Sequence, residues 1–149
     1  MKKIIFIPAL FCLFMLNVAS MCSSDNGSSD DNSPPVGTII DNTTSGTWRV
    51  TLFQEDSSNQ TNNFSGYNFS INSDGTIVAI NGSTTKTGTW SSYTDSGYSK
   101  FDILFPDTNG PFEEISEDWR VLSSTTTRLE LKHVSGGNGS IDLLTFEKN

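Results

Sequence analysis

The chain has 149 residues and a formal charge of −8 at neutral pH. Loss of an N-terminal segment carrying Lys2 and Lys3 takes the remainder to −10, which repels phosphate backbones and anionic headgroups and excludes nucleic-acid binding. Only 17% of residues are charged, while Ser, Thr, Asn and Gly abound, a mix that favours turns and strand faces and argues against a helical bundle.

Met1-Lys2-Lys3 is a short positive start, followed from Ile4 to Val18 by a nearly unbroken apolar run. That run is too short for a membrane span and fits the core of a signal peptide, and Pro8 further weakens a permanent helical anchor. Val18-Ala19-Ser20-Met21-Cys22 resembles the lipobox of bacterial lipoproteins, although Met21 stands where that pattern usually has Gly, Ala or Ser. The resemblance implies a signal peptide over residues 1–21, acylation of Cys22, and lipid anchoring at the bacterial outer membrane or cell surface. Ordinary cleavage after Ser20, releasing a soluble chain with a free Cys22, is the alternative. Residues 22–44 read as a flexible acidic tether rich in Ser, Asp, Asn and Pro. Acidic residues soon after Cys22 also resemble the surface-export signal of some lipoproteins. Cys12 falls in the signal, so the domain over 45–149 has no cysteine and relies on its packed core alone.

From Ser45 onward the apolar pattern has a period near two, punctuated by turn residues, which predicts an all-β domain. The expected strands are Gly46–Gln54, with Trp48, Val50 and Leu52 on one face, and Gly66–Asn72, with Tyr67, Phe69 and Ile71 alternating against polar residues. Asp74-Gly75 then supplies a hairpin turn. Thr76–Asn81, Lys86–Ser92 and Tyr98–Phe105 follow, the last presenting Phe101, Ile103 and Phe105. Pro111 at a helix start, with Glu113 and Glu114 in the first turn, predicts one short helix over Phe112–Ser116. Glu117–Ser123, Thr127–Val134 and Ser140–Lys148 complete eight strands. Phe53, Val78, Ile80, Leu104 and Leu122 fall on the opposite parity. Bulges that turn some of them inward, or the helix covering part of the outside, would account for them.

Eight sequential antiparallel strands leave two exposed edges unless the sheet closes, so an up-and-down barrel is the expected architecture, with a two-sheet sandwich as the alternative. Gly46-Thr47-Trp48 at the first strand resembles the Gly-x-Trp signature of lipocalins. Gly88-Thr89-Trp90 repeats it, and Trp119-Arg120-Val121 echoes Trp48-Arg49-Val50. The pattern is similar to the short lipocalin-like domains of exported bacterial lipoproteins. That resemblance implies that Trp48 plugs the closed end of an eight-stranded barrel; lipocalins place an Arg over this Trp, and here the chain departs from them in offering only Lys148.

Candidate chemistry is sparse. His133 is the single histidine, placed by parity beside Leu129 and Leu131 near a strand end, and alone it forms neither a catalytic triad nor a multi-histidine metal site. Glu113, Glu114, Glu117 and Asp118 are dense in carboxylates but read as a solvated lid. No nucleophile elbow, phosphate loop or dinucleotide fingerprint is present. No enzyme activity, cofactor or metal site is therefore expected. The expected function is that of a lipid-anchored envelope lipoprotein whose barrel binds a small apolar or amphipathic molecule, walled by Trp48, Tyr67, Phe69, Phe101, Ile103, Trp119 and Leu131. The alternative is a structural or interaction module of the cell surface, with a filled barrel and no small-molecule ligand. Its contact candidate is the polar loop Glu55–Ser65. Expected partners are the membrane, through the acyl chains, and either a small hydrophobic ligand or an envelope protein.

Overall fold

The computed structural model describes residues 32–149; the signal segment, Cys22 and the acidic start of the tether lie outside the described residues. Alternating apolar residues form β1 (Trp48–Glu55), β3 (Asn68–Ile71), β4 (Thr76–Asn81), β5 (Thr84–Asp95), β6 (Tyr98–Leu104), β7 (Asp118–Ser124), β8 (Arg128–Val134) and β9 (Ile141–Lys148), while β2 is the two-residue ribbon Ser58–Asn59. From β3 to β9 each strand pairs antiparallel with the next in chain order. β1 joins β3 at Trp48↔Phe69 and β9 from Trp48↔Lys148 to Gln54↔Leu143. The terminal strands therefore meet, and the domain is a closed eight-stranded up-and-down barrel with β2 folded back on the end of β1. Closure removes both sheet edges and rules out the two-layer sandwich.

Side-chain alternation follows the expected parity except at two bulges. One lies between Val50 and Leu52 on β1, the other between Val121 and Ser123 on β7. An extra residue shifts the strand's inward set by one position. Phe53 is consequently buried and Leu52, expected inward, is only half-buried. Ile80, Leu104 and Leu122 remain exposed on the outer wall.

Two helices close the ends. The register places the start of β1 and the end of β9 at one end, with the β3–β4, β5–β6 and β7–β8 turns. Helix α1 (Val36–Thr43) lies there, in the stretch expected to be flexible, with Ile39 and Thr43 buried one turn apart. Eight residues do not sustain a helix in water alone. The contacts that hold it are tertiary: Asn42 Nδ2 donates to Ser124 O at 3.1 Å, and just before the helix Ser99 Oγ donates to Pro34 O at 2.7 Å. The folded unit thus begins before residue 45. At the opposite end, α2 (Pro111–Glu114) sends Phe112 into the barrel mouth, against Tyr67 at 5.1 Å and Phe105 at 4.9 Å between ring centroids. It plugs the barrel rather than covering its outside.

Two of the three tryptophans tie these helices to the wall, and the third holds the β3–β4 hairpin. Buried indoles need a partner for their N–H. Trp48 Nε1 donates to Thr43 O at 3.0 Å, at the end of α1. Trp119 Nε1 donates to Ile115 O at 2.9 Å, just after α2, and Trp90 Nε1 to Asn72 O at 2.8 Å, before the β3–β4 turn. The glycines of the two Gly-x-Trp triplets serve different needs. Gly46 has φ of +74°, and a Cβ there would meet Lys148 Cε at 3.3 Å. At Gly88 a Cβ would sit 2.4 Å from Leu104 O, so β5 and β6 approach this closely only with glycine.

Three stability measurements by urea unfolding check this account. Ile39→Ala is expected to cost about 2–5 kcal/mol, as for a core residue, and a cost below about 0.5 kcal/mol would show α1 to be detached. Gly88→Ala is expected to cost about 1–3 kcal/mol through overpacking against backbone. At the β3–β4 hairpin, Asp74 accepts hydrogen bonds from Thr76 Oγ1 at 2.6 Å and Thr76 N at 2.9 Å. These bonds, the hydroxyl first, hold its carboxyl below the usual range. A depressed carboxyl stabilises the fold above its unfolded-state pKa and loses that contribution as pH falls through its folded value. Asp74→Ala should therefore lower Tm near neutral pH and leave it unchanged in strong acid; an equal drop at both would contradict the assignment.

Candidate functional site

The seven residues expected to wall a ligand cavity all point into the barrel and pack on one another. Trp48, Phe69, Phe101, Ile103, Trp119 and Leu131 belong to one continuous buried cluster, and Tyr67 packs against its edge. Phe69 meets Phe146 edge-on at 5.2 Å, and Phe101 stacks on Trp90 at 5.1 Å. Phe64, from the 3-10 turn Thr61–Phe64, and Phe112 close the mouth at 5.6 Å from each other. Below Trp48 the other end is closed by α1. Lys148 Nζ stands 5.0 Å from the Trp48 ring in a cation–π contact and donates to Ser45 Oγ at 3.0 Å.

Two cavities open on the outside of the wall. One, of about 390 Å³, is an apolar groove between Thr76, Thr87, Thr89, Leu104 and Pro106. The other, of about 250 Å³, is charged and lies across β6, β7 and β8, lined by Lys100, Asp118, Arg120, Lys132 and His133 among others. Its cations sit in cross-strand register, Lys100↔Arg120 and Arg120↔Lys132. Lys100 Nζ binds Asp118 Oδ2 at 3.0 Å, and the Arg120 guanidinium lies 3.8 Å over the Tyr98 ring. Asp102, opposite Asp118 on β6, has its carboxyl pushed above the usual range by burial and then by the Asp118 charge.

At the upper corner of this cavity the fold gathers residues that are remote in sequence. His133, half-buried at the end of β8, is seated edge-on against Trp119 at 6.0 Å. Its Nε2 lies 3.7 Å from Glu117 Oε2 and 3.8 Å from Asp118 Oδ1. Its Nδ1 lies 3.4 Å from Asp142 Oδ2 on β9, and Asp142 Oδ1 accepts the backbone N–H of Asp56 at 2.7 Å. Sequence reasoning weighed His133 alone and Glu117 and Asp118 as part of a separate acidic cluster. The signal available was the antiparallel β8–β9 hairpin, which places His133 opposite Asp142. Glu113 and Glu114 do not join this corner. Glu114 sits instead near Glu55, where burial first, then Glu55 and Glu113, push its carboxyl up. Cys22 lies outside the described residues.

No protein-family model matches the chain, and no curated protein matches it. Among solved structures, a DUF4847 family protein from Bacteroides vulgatus is similar, at 18% identity over 72% of this chain and 94% of that one, with a TM-score of 0.48.

The filled interior has a direct test. Phe112→Ala should remove the plug, cost about 3–5 kcal/mol, and create a site that takes up an environment-sensitive hydrophobic dye. The unsubstituted chain should not bind the dye, and saturable binding by it would reveal an interior already open.

Proposed function

We propose that the protein is a lipid-anchored interaction module of the bacterial cell envelope, held at the outer membrane or cell surface by acylation of Cys22, with a barrel that acts as a rigid scaffold. The observation that carries this reading is the interior itself. A small eight-stranded barrel either holds one ligand or is filled by its own side chains, and here the rings expected as ligand walls pack on one another with a helix over each end. Such a core supports display over containment of a small apolar molecule. The reading assigns no catalytic step to the barrel.

The polar loop over residues 55–65 supplies a contact surface suited to display. Its Ser57, Ser58, Asn59, Asn62 and Asn63 are exposed, while Phe64 anchors it in the core. Thr61 Oγ1 accepts the Phe53 N–H at 2.9 Å, and Asn59 Oδ1 accepts the Thr61 N–H at 3.0 Å. A loop pinned this way loses little conformational entropy on meeting a partner.

Two measurements bear on the two halves of the proposal. Metabolic labelling with a fatty-acid probe is expected to mark the chain and to vanish in Cys22→Ala; persistent labelling overturns the anchor. Native mass spectrometry before and after denaturation should release no small molecule, and cross-linking through Asn62 or Asn63 in intact cells should yield a defined protein adduct. A stoichiometric released lipid or other apolar compound would restore the container reading.

A further inference from the structure

We propose that His133, Glu117 and Asp118 form a binding site for a divalent transition metal of the Zn²⁺ type at the rim of the charged cavity. Their ligand atoms all lie within 4.8 Å of one another. Tetrahedral coordination with bonds of about 2.0–2.2 Å to nitrogen and oxygen sets donor atoms about 3.3–3.6 Å apart. The 3.7 Å and 3.8 Å separations from Nε2 lie a few tenths of an ångström beyond that spacing. Glu117 and Asp118 are side chains about half exposed, at 45% and 49%, and free to close the remaining gap by changing rotamer.

The buttress behind the ring makes this more than a gathering of surface charges. The Asp56 backbone N–H fixes one oxygen of Asp142, and the other oxygen faces His133 Nδ1. A carboxylate there favours the tautomer with its proton on Nδ1, which turns the Nε2 lone pair toward Glu117 and Asp118. Three electron-rich atoms then converge on one point, an arrangement that a bound cation resolves. Carboxylate, imidazole and metal in line is how proteins orient and strengthen a metal-ligating histidine. The set of one imidazole and two carboxylates suits Zn²⁺ and its neighbours among the first-row metals.

The surroundings leave the site room and set its strength. Lys100 engages Asp118 through Oδ2, leaving Oδ1 for the metal. The 250 Å³ cavity beside Asp118 and His133 has space for waters to complete the coordination shell. Arg120 and Lys132 line the same cavity and moderate affinity by their charge. Nearby Asp102 offsets them.

The test is calorimetric titration of the metal-free full chain with zinc chloride, in a Cys12→Ala, Cys22→Ala background so that no thiol contributes. A saturable isotherm of one ion per chain is expected. His133→Ala should abolish it, Glu117→Gln and Asp118→Asn should each weaken it by at least about tenfold, and Asp142→Asn should weaken it by about 10–100-fold. Nitrogen-15 NMR of the imidazole provides a readout that folding defects do not mimic: Zn²⁺ should shift the Nε2 resonance while Nδ1 keeps its proton. Absence of saturable binding at millimolar Zn²⁺, or an affinity that His133→Ala leaves intact, overturns the proposal. So does an imidazole protonated on both nitrogens at neutral pH and indifferent to the metal, since a proton would then do what is assigned to the ion.

Discussion

The β1–β9 pairing is the contact on which the rest depends. Once Trp48 lies opposite Lys148, the sheet has no free edge, and its inner face encloses a volume that must be occupied. Water there would strand against apolar side chains, and a void would forfeit dispersion contacts along its whole lining. The chain fills the space with aromatic rings, and this choice imposes a second requirement. Indole carries an N–H that loses its hydrogen bond to water on burial, so each tryptophan must find an acceptor nearby. Strand carbonyls lie in the plane of the sheet, which an inward-pointing indole leaves, and the acceptors come from segments outside the strands.

That requirement explains the elements added to the barrel. Thr43, Ile115 and Asn72 each contribute a carbonyl from outside the strands. In α1 and α2 the segment that brings the carbonyl also brings an apolar side chain, Ile39 or Phe112, that closes the end. Satisfying the indoles and sealing the barrel are therefore one act of packing, performed at opposite ends by two short helices with little intrinsic stability. The same logic places Lys148 over the Trp48 ring. Its ammonium stays at the surface while its stem crosses Gly46, where a side chain would obstruct it.

The barrel itself was legible because a period of two with regularly spaced turns has few physical solutions, and strand order in a meander follows chain order. All eight barrel strands lie near their expected positions. What the pattern could not convey were events that depend on three-dimensional neighbours. The bulge at Val50–Leu52 exchanges Leu52 for Phe53 without any local marker in the sequence. Helix α1 is eight residues long, half of them polar, and its two buried side chains, Ile39 and Thr43, are too few to set a period. The five aromatic and two aliphatic residues expected as walls point inward, but whether such a set lines a cavity or fills one is decided by volume, and parity is silent on volume. The His133 corner was hidden for a related reason: Asp56, Glu117, Asp118, His133 and Asp142 come from three separate parts of the chain.

The corner and the core are nevertheless joined. His133 rests on Trp119, and Trp119 is the residue that anchors α2 through Ile115. Glu117, just before β7, and Asp118, its first residue, lead directly into Trp119, so their backbone positions are fixed by the burial of the indole beside them. Asp142 is set by the β8–β9 register and by the Asp56 N–H. Each polar group at the rim therefore inherits its place from an element committed to closing or filling the barrel. A binding corner on flexible loops would have to order its donors when the ligand arrived, at a cost of about 0.5–1.5 kcal/mol for each side chain immobilised. Here the imidazole and its supporting carboxylate are already held, and only Glu117 and Asp118 remain to be ordered. In the proposed reading the barrel is a stiff base that preorganises polar groups on its rim.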